Sequence, residues 1–312
     1  HARPTAPAAF WTEAPDVLAG RDLEAGGSWM GITRGGRFAA LTNFRDPAQV
    51  RNGAPSRGAL VSGFLIGNAA PDAYLEQIAV VGRQCNGYNI LLGDGESLWW
   101  SSNVSGESKA LPPGVYGVSN HLLDTPWPKV GAGKTALSAA IDELPHEHGL
   151  FELLRDASMP ADEHLPRTGV PLDWERLLSA AFVNSPTYGT RSSTILIRDS
   201  AGRVDFVEQS CLPGALRDSA MHLTVDQQWI EFDAHVMHRR IAIYGDDARL
   251  KIDFHFAAMA GIGKIACIRR PGRRFVEADF DVLRQPRRIE RHARDIAEVR
   301  SMIRPRDAEN AI

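Results

Sequence analysis

Cysteine is scarce in this chain of 312 residues, which holds only Cys85, Cys211 and Cys267, with no CxxC pair and no histidine at zinc spacing. That pattern argues against a disulfide framework or a structural zinc site. It fits a reducing, cytoplasmic setting. No apolar run approaches the roughly 18 residues needed to span a bilayer, and no signal peptide is visible. An excess of one charge is missing too. Thirty-five Lys and Arg stand against 38 Asp and Glu, a net charge of −3, which gives no overall attraction to nucleic acid or to an anionic membrane. The chain also lacks GxGxxG, a Walker lysine loop, HExxH and an Asp-rich calcium loop. GAGKTALS (131–138) lacks the GxxxxGK spacing, and His146 and His148 stand two apart, which on a helix turns them to different faces. Neither segment is expected to hold nucleotide or metal.

What is present is a globular composition, 44% hydrophobic and 23% charged, in a length that suits about two domains. Charge density divides the chain. Residues 1–213 carry 17 basic and 23 acidic groups, whereas 214–312 carry 18 and 15 in less than half the length. The junction around Pro213 and Gly214 is followed by Met221, which resembles an internal start, so a fusion of two genes is expected. The expected domains are 1–213 and 221–312, and the fusion-like tail points to a bacterial source. The chain opens at His1, and HARPTAPAAFW reads like the middle of a protein, so an earlier segment is expected.

Glycine-centred turns separate short apolar runs into three hairpins: Trp29–Thr33 with Arg37–Asn43, the run YNILLGDGESLWWSSN (88–103), and Ile195–Arg198 with Val204–Glu208. Three hairpins argue for antiparallel sheet. Trp99 and Trp100 are expected on opposite faces of their strand. Helices are expected over Ala59–Leu65, Asp72–Arg83, Lys134–Leu144 and Asp173–Phe182, the last with Asp173 as N-cap and a stripe of Leu177, Leu178, Ala181 and Phe182. The first region is therefore α+β. It shows no repeat and no low-complexity tract apart from a Pro/Ala-rich opening.

Three segments carry polar side chains beside apolar strand-like runs: TNFR (42–45), YGVSN (116–120) and YGTRSST (188–194). A sheet edge can aim Asn43, Asn120 and Arg191 rigidly into a cleft. An Asn amide can stabilise an oxyanion, and an Arg can fix a carboxylate or lower a neighbouring thiol pKa. Residues of these types also satisfy ordinary turns. Ser192 reads as a ligand contact because no general base accompanies it. Neither Cys85 nor Cys211 has a nearby His or Lys to activate it.

Seven segments together carry a resemblance: residues 2–11, 18–32, 38–47, 56–65, 88–94, 114–130 and 188–194. In this order they resemble the NRDE (transport and Golgi organisation protein two-like) family. The resemblance implies an N-terminal-nucleophile-hydrolase-like αββα sandwich of antiparallel sheets. Family chains usually start Met-Cys and carry Asn-Arg-Asp-Glu just before the RPT segment, whereas this sequence starts directly after that motif. The implied cysteine nucleophile is therefore not in this chain, and His1 cannot replace a thiolate. A looser similarity to the bile-salt hydrolase and penicillin acylase branch implies an oxyanion-hole role for Asn43 or Asn120, with Arg191 beside the nucleophile. The family also implies haem trafficking or an acyl-type ligand. Haem needs an axial side chain and an apolar slot, and His121, near Trp127, is the candidate.

The expectation is thus a protein that binds or traffics a hydrophobic small molecule such as haem, in a cleft lined by Asn43, Arg45, Asn120, His121, Arg191 and Ser192. No resident metal, nucleic-acid partner or membrane span is expected, and nothing in the sequence sets an oligomeric state. The alternative is a cysteine-dependent amide hydrolase. The tail weakly resembles a small β-hairpin-plus-helix domain: WIEFDAHVMHRRIAIYGDD (229–247) supplies the strands and RRIERHARDIAEVRSMI (287–303) the helix, while RRPGRR (269–274) reads as a solvated turn.

Overall fold

A computed structural model describes residues 3–141, 148–198, 203–212, 215–217, 223–225 and 265–269. The expected tail hairpin and helix, most of RRPGRR, the junction at 213–214 and His146 of the HEH segment lie outside what it describes.

Strands β1 (Thr5–Trp11), β2 (Ala14–Asp22), β3 (Met30–Thr33), β4 (Phe38–Asn43), β5 (Tyr88–Gly93), β6 (Leu98–Ser102) and β7 (Ser108–Ala110) form one antiparallel meander in chain order. The expected Gly35-Gly36 and Gly93–Gly95 turns join β3 to β4 and β5 to β6. The Pro/Ala-rich opening is a strand pair, β1 with β2. Ala8 and Phe10 are separated by an exposed Ala9, a period of two that small residues and proline disguise.

Helices α1 (Gly58–Ile66) and α2 (Pro71–Gly82) cover one face of this sheet. Leu60, Val61, Phe64, Leu65, Leu75 and Ile78 pack there against Val17, Ala39, Ile90 and Leu92. Gly31 brings α1 close, for a Cβ at this position would stand 2.6 Å from Ala19 Cβ and 2.8 Å from Leu65 Cδ1.

Alternation sends Leu18, Met30, Ile32, Phe38, Leu91 and Trp100 to the other face, against Leu196, Val204 and Phe206. Those three belong to β9 (Ser192–Arg198) and β10 (Val204–Leu212), which pair antiparallel as expected. The short strands β11 (Ala215–Arg217) and β12 (Leu223–Val225) also pair with β10. Ile195 and Val207 point away from the shared core toward α3 (Pro128–Ile141) and α4 (His148–Arg155). The layers run helices, sheet, sheet, helices, with one core beneath each helical layer and one between the sheets. Strand β8 (Gly114–Val118) sends Val118 into that core and pairs with β13 (Ile265–Arg269). Trp100 is buried in it, while Trp99 is half-buried on the helix-covered face, as the alternation requires.

Two helix expectations need correction. The third helix begins at Pro128, six residues before the expected Lys134, because Pro is preorganised for a first turn. GAGKTALS therefore lies inside a helix. Helix α5 (Leu172–Ser179) has Pro171, not Asp173, at its N-cap, and Asp173 sits in the first turn. Its buried residues are Glu175 and Ser179, while Leu177 and Leu178 are only half-buried. The helix turns a carboxylate inward because a buried arginine faces it.

Candidate functional site

That arginine is Arg45, just beyond the end of β4. Its guanidinium Nη1 donates to Glu175 Oε2 at 3.1 Å, with side-chain exposures of 9% and 5%. Glu175 Oε1 in turn accepts from the Thr168 amide at 2.6 Å and the Thr168 hydroxyl at 2.7 Å. Burial lowers the Arg45 pKa, and the Glu175 charge opposes that shift. The pair is desolvated but hydrogen-bonded.

Arg45 also ties down the loop after β8. Its amide donates to the Asn120 carbonyl at 2.7 Å, and its Nη2 to Asn120 Oδ1 at 3.3 Å. Asn120 Nδ2 donates to the Asn43 carbonyl at 3.0 Å. The buried Asn120 amide is thus spent on structure, whereas the Asn43 side chain is exposed. One layer deeper, Asn89 Nδ2 donates to Thr42 Oγ1 at 3.2 Å and to the His121 carbonyl at 2.9 Å, and Thr42 Oγ1 donates to the Ser119 carbonyl at 2.8 Å. The loop is pinned at its far side as well: Asp124, with φ 55°, accepts from the Gly117 amide at 2.9 Å and from Lys134 Nζ at 2.8 Å.

This frame holds the His121 ring between two aromatic rings. Its centroid is 4.8 Å from that of Phe44 and 5.6 Å from that of Trp127. Nδ1 lies 2.8 Å from Thr125 Oγ1, and that hydroxyl donates its single hydrogen to the Leu122 carbonyl at 2.8 Å. With that hydrogen on Leu122 the hydroxyl accepts, which assigns the proton of a neutral imidazole to Nδ1 and the lone pair to Nε2. Burial lowers the imidazole pKa below its ordinary value, favouring this neutral form. Val104, 49% exposed, and Phe44 flank Gly87, where a Cβ would stand 2.9 Å from Phe44 Cβ. An apolar rim thus adjoins the histidine.

Asn43, Arg45, Asn120 and His121 are therefore brought together. The contacts of Arg191 and Ser192 lead elsewhere. Arg191 precedes β9 instead of ending a strand, and its guanidinium donates to the Arg3 carbonyl. Ser192 hydrogen-bonds to Glu208. Glu208, 4% exposed, accepts from the Ala8 amide at 2.8 Å and the Thr194 hydroxyl at 3.2 Å, and burial raises its pKa. Sequence reasoning missed Glu175, Thr42, Asn89 and Glu208. Only Asn89, a polar residue within the apolar run YNILLG, carried a visible signal.

Comparison with known proteins bears on this frame because Thr42, Arg45, Asn89, Asn120 and His121 lie in segments of the resemblance. Residues 1–213 match the family model described as Transport and Golgi organisation 2. The chain belongs to that family. Over 230 residues it is 36% identical to the Transport and Golgi organization protein 2 homolog of Bos taurus, covering 67% of this chain and 82% of the relative. The Mus musculus Transport and Golgi organization 2 homolog is 35% identical over 229 residues, with the same two shares. The Homo sapiens homolog is 34% identical over 232 residues, covering 68% of this chain and 83% of its own length. These family relatives are animal proteins. No helix among the described residues is long and apolar enough to cross a membrane.

Proposed function

We propose that this member of the family binds and carries a hydrophobic small molecule, haem in the first instance, at the loop between β8 and α3. The observation that carries the reading is the 2.8 Å contact of His121 Nδ1 with a Thr125 hydroxyl that itself reaches the Leu122 carbonyl, which favours the tautomer with a bare Nε2. A neutral imidazole with Nδ1–H held by Thr125 and a bare Nε2 is the form that ligates iron, and an oriented second nitrogen is the usual support of such a ligand. Phe44 and Trp127 supply apolar surface beside it. Haem is here cargo, held by one side chain and an aromatic rim. The helix–sheet–sheet–helix layering supports the N-terminal-nucleophile-like reading of the fold. The alternative, cysteine-dependent amide hydrolysis, draws no support from Cys85, which is buried and whose thiol pKa burial raises.

Titration of the purified chain with haem is expected to give a saturable Soret shift that His121→Ala removes. The shift should hold at neutral pH and fade as pH drops below the ordinary histidine range, because protonation of Nε2 competes with iron. A shift unaltered in His121→Ala would exclude this site.

A further inference from the structure

The chain contains two Asn-Gly steps, Asn52-Gly53 and Asn86-Gly87. With no side chain on the glycine, the amide nitrogen after each asparagine is unshielded and its backbone is free to turn toward the preceding side chain. The sequence treats the two steps alike. The fold separates them.

Asn52 and Gly53 form a turn in the loop between β4 and α1, and both are exposed. Gly53 has φ +75°, and a Cβ there would meet nothing within 4 Å. Among the described residues neither Asn52 nor Gly53 takes part in a hydrogen bond. The side-chain amide and the backbone nitrogen that follows it are both open to water.

Asn86 is spent on its neighbours instead. Its Oδ1 accepts from the Arg51 amide at 2.8 Å, and its Nδ2 donates to the Arg51 carbonyl at 3.1 Å. Gly87 is held as well: its carbonyl accepts from the Phe44 amide at 2.9 Å and from Arg57 Nη1 at 3.1 Å. Both ends of the Asn86 amide must come free before the Gly87 nitrogen can reach its Cγ.

We propose that Asn52 is a site of spontaneous deamidation and isomerisation, and that the bonds to Arg51 protect Asn86 from the same reaction. Hydroxide takes the proton of the Gly53 amide, and the nitrogen attacks Asn52 Cγ. A new C–N bond closes a cyclic imide, and Nδ2 leaves as ammonia. Water then opens the imide at either carbonyl, giving aspartate or isoaspartate. Either product places a carboxylate next to Arg51, and the isoaspartyl form adds a methylene to the backbone. The site is distinct from the His121 loop, and its fate is independent of haem binding.

The full chain, incubated at mildly alkaline pH, is sampled over time by peptide mapping with mass spectrometry, beside the same chain in denaturant. In denaturant both steps should gain the mass of OH for NH2 at comparable rates. In the folded chain Asn52 should keep that rate within a few-fold, whereas Asn86 should slow by about tenfold or more, since opening its two hydrogen bonds costs about 1 kcal/mol each. Gly53→Ala should slow conversion of Asn52 severalfold, because its methyl shields the attacking nitrogen, and leave Asn86 unchanged. Equal rates at the two sites in the folded chain, faster conversion of Asn86, or no conversion of Asn52 by the time the denatured chain has reacted would overturn the proposal. These outcomes need only the unaltered chain, so they decide the matter even where the variant fails to fold.

Discussion

Removing Glu175 leaves the Arg45 guanidinium charged and 9% exposed with its ion partner gone. Glu175→Ala is therefore expected to cost about 3–5 kcal/mol of stability, read by denaturant unfolding. Replacing both partners, Arg45→Met with Glu175→Leu, should recover most of that loss. Glu208 behaves in the opposite sense to a surface carboxylate. Burial raises its folded pKa, so the folded state binds the proton more tightly than the unfolded state. Its contribution is fully present below the unfolded pKa and is lost as pH rises through the folded one. Glu208→Gln, which keeps the shape without the charge, should accordingly gain stability relative to the parent as pH rises from 4 to 8. A difference independent of pH across paired melts would contradict this account.

At the scale of elements, the close approach of α1 to the large sheet depends on Gly31. A valine there would place its Cβ within 2.6 Å of Ala19 Cβ and 2.8 Å of Leu65 Cδ1. Gly31→Val is expected to cost about 1–3 kcal/mol, with α1 displaced and its amide protons exchanging faster. The central hairpins were legible because their signal is local: glycines at tight turns flank residues that alternate between two cores, as Ile90, Leu91 and Leu92 do. The first hairpin escaped because alanine and proline give that alternation little hydrophobic contrast. Helix α5 misled for another reason. Its leucines suggested an apolar inward face, but the ion pair with Arg45 set the rotation, and that partner is 130 residues away.

For the whole molecule, the family resemblance and the grouping of Asn43, Arg45, Asn120 and His121 both follow from segments readable in the chain. The two cores follow from alternation, because strand periodicity writes burial into neighbouring residues. What only the tertiary structure decided is the division of polar labour. Glu208 meets the Ala8 amide across 200 residues of sequence, and Arg198 meets Gly95 across 103. The hydrogen Thr125 gives to Leu122 decides which nitrogen of His121 is bare. Such contacts leave no periodic trace, since a buried charge or imidazole is satisfied by whichever group the packing of two sheets happens to bring within hydrogen-bond reach.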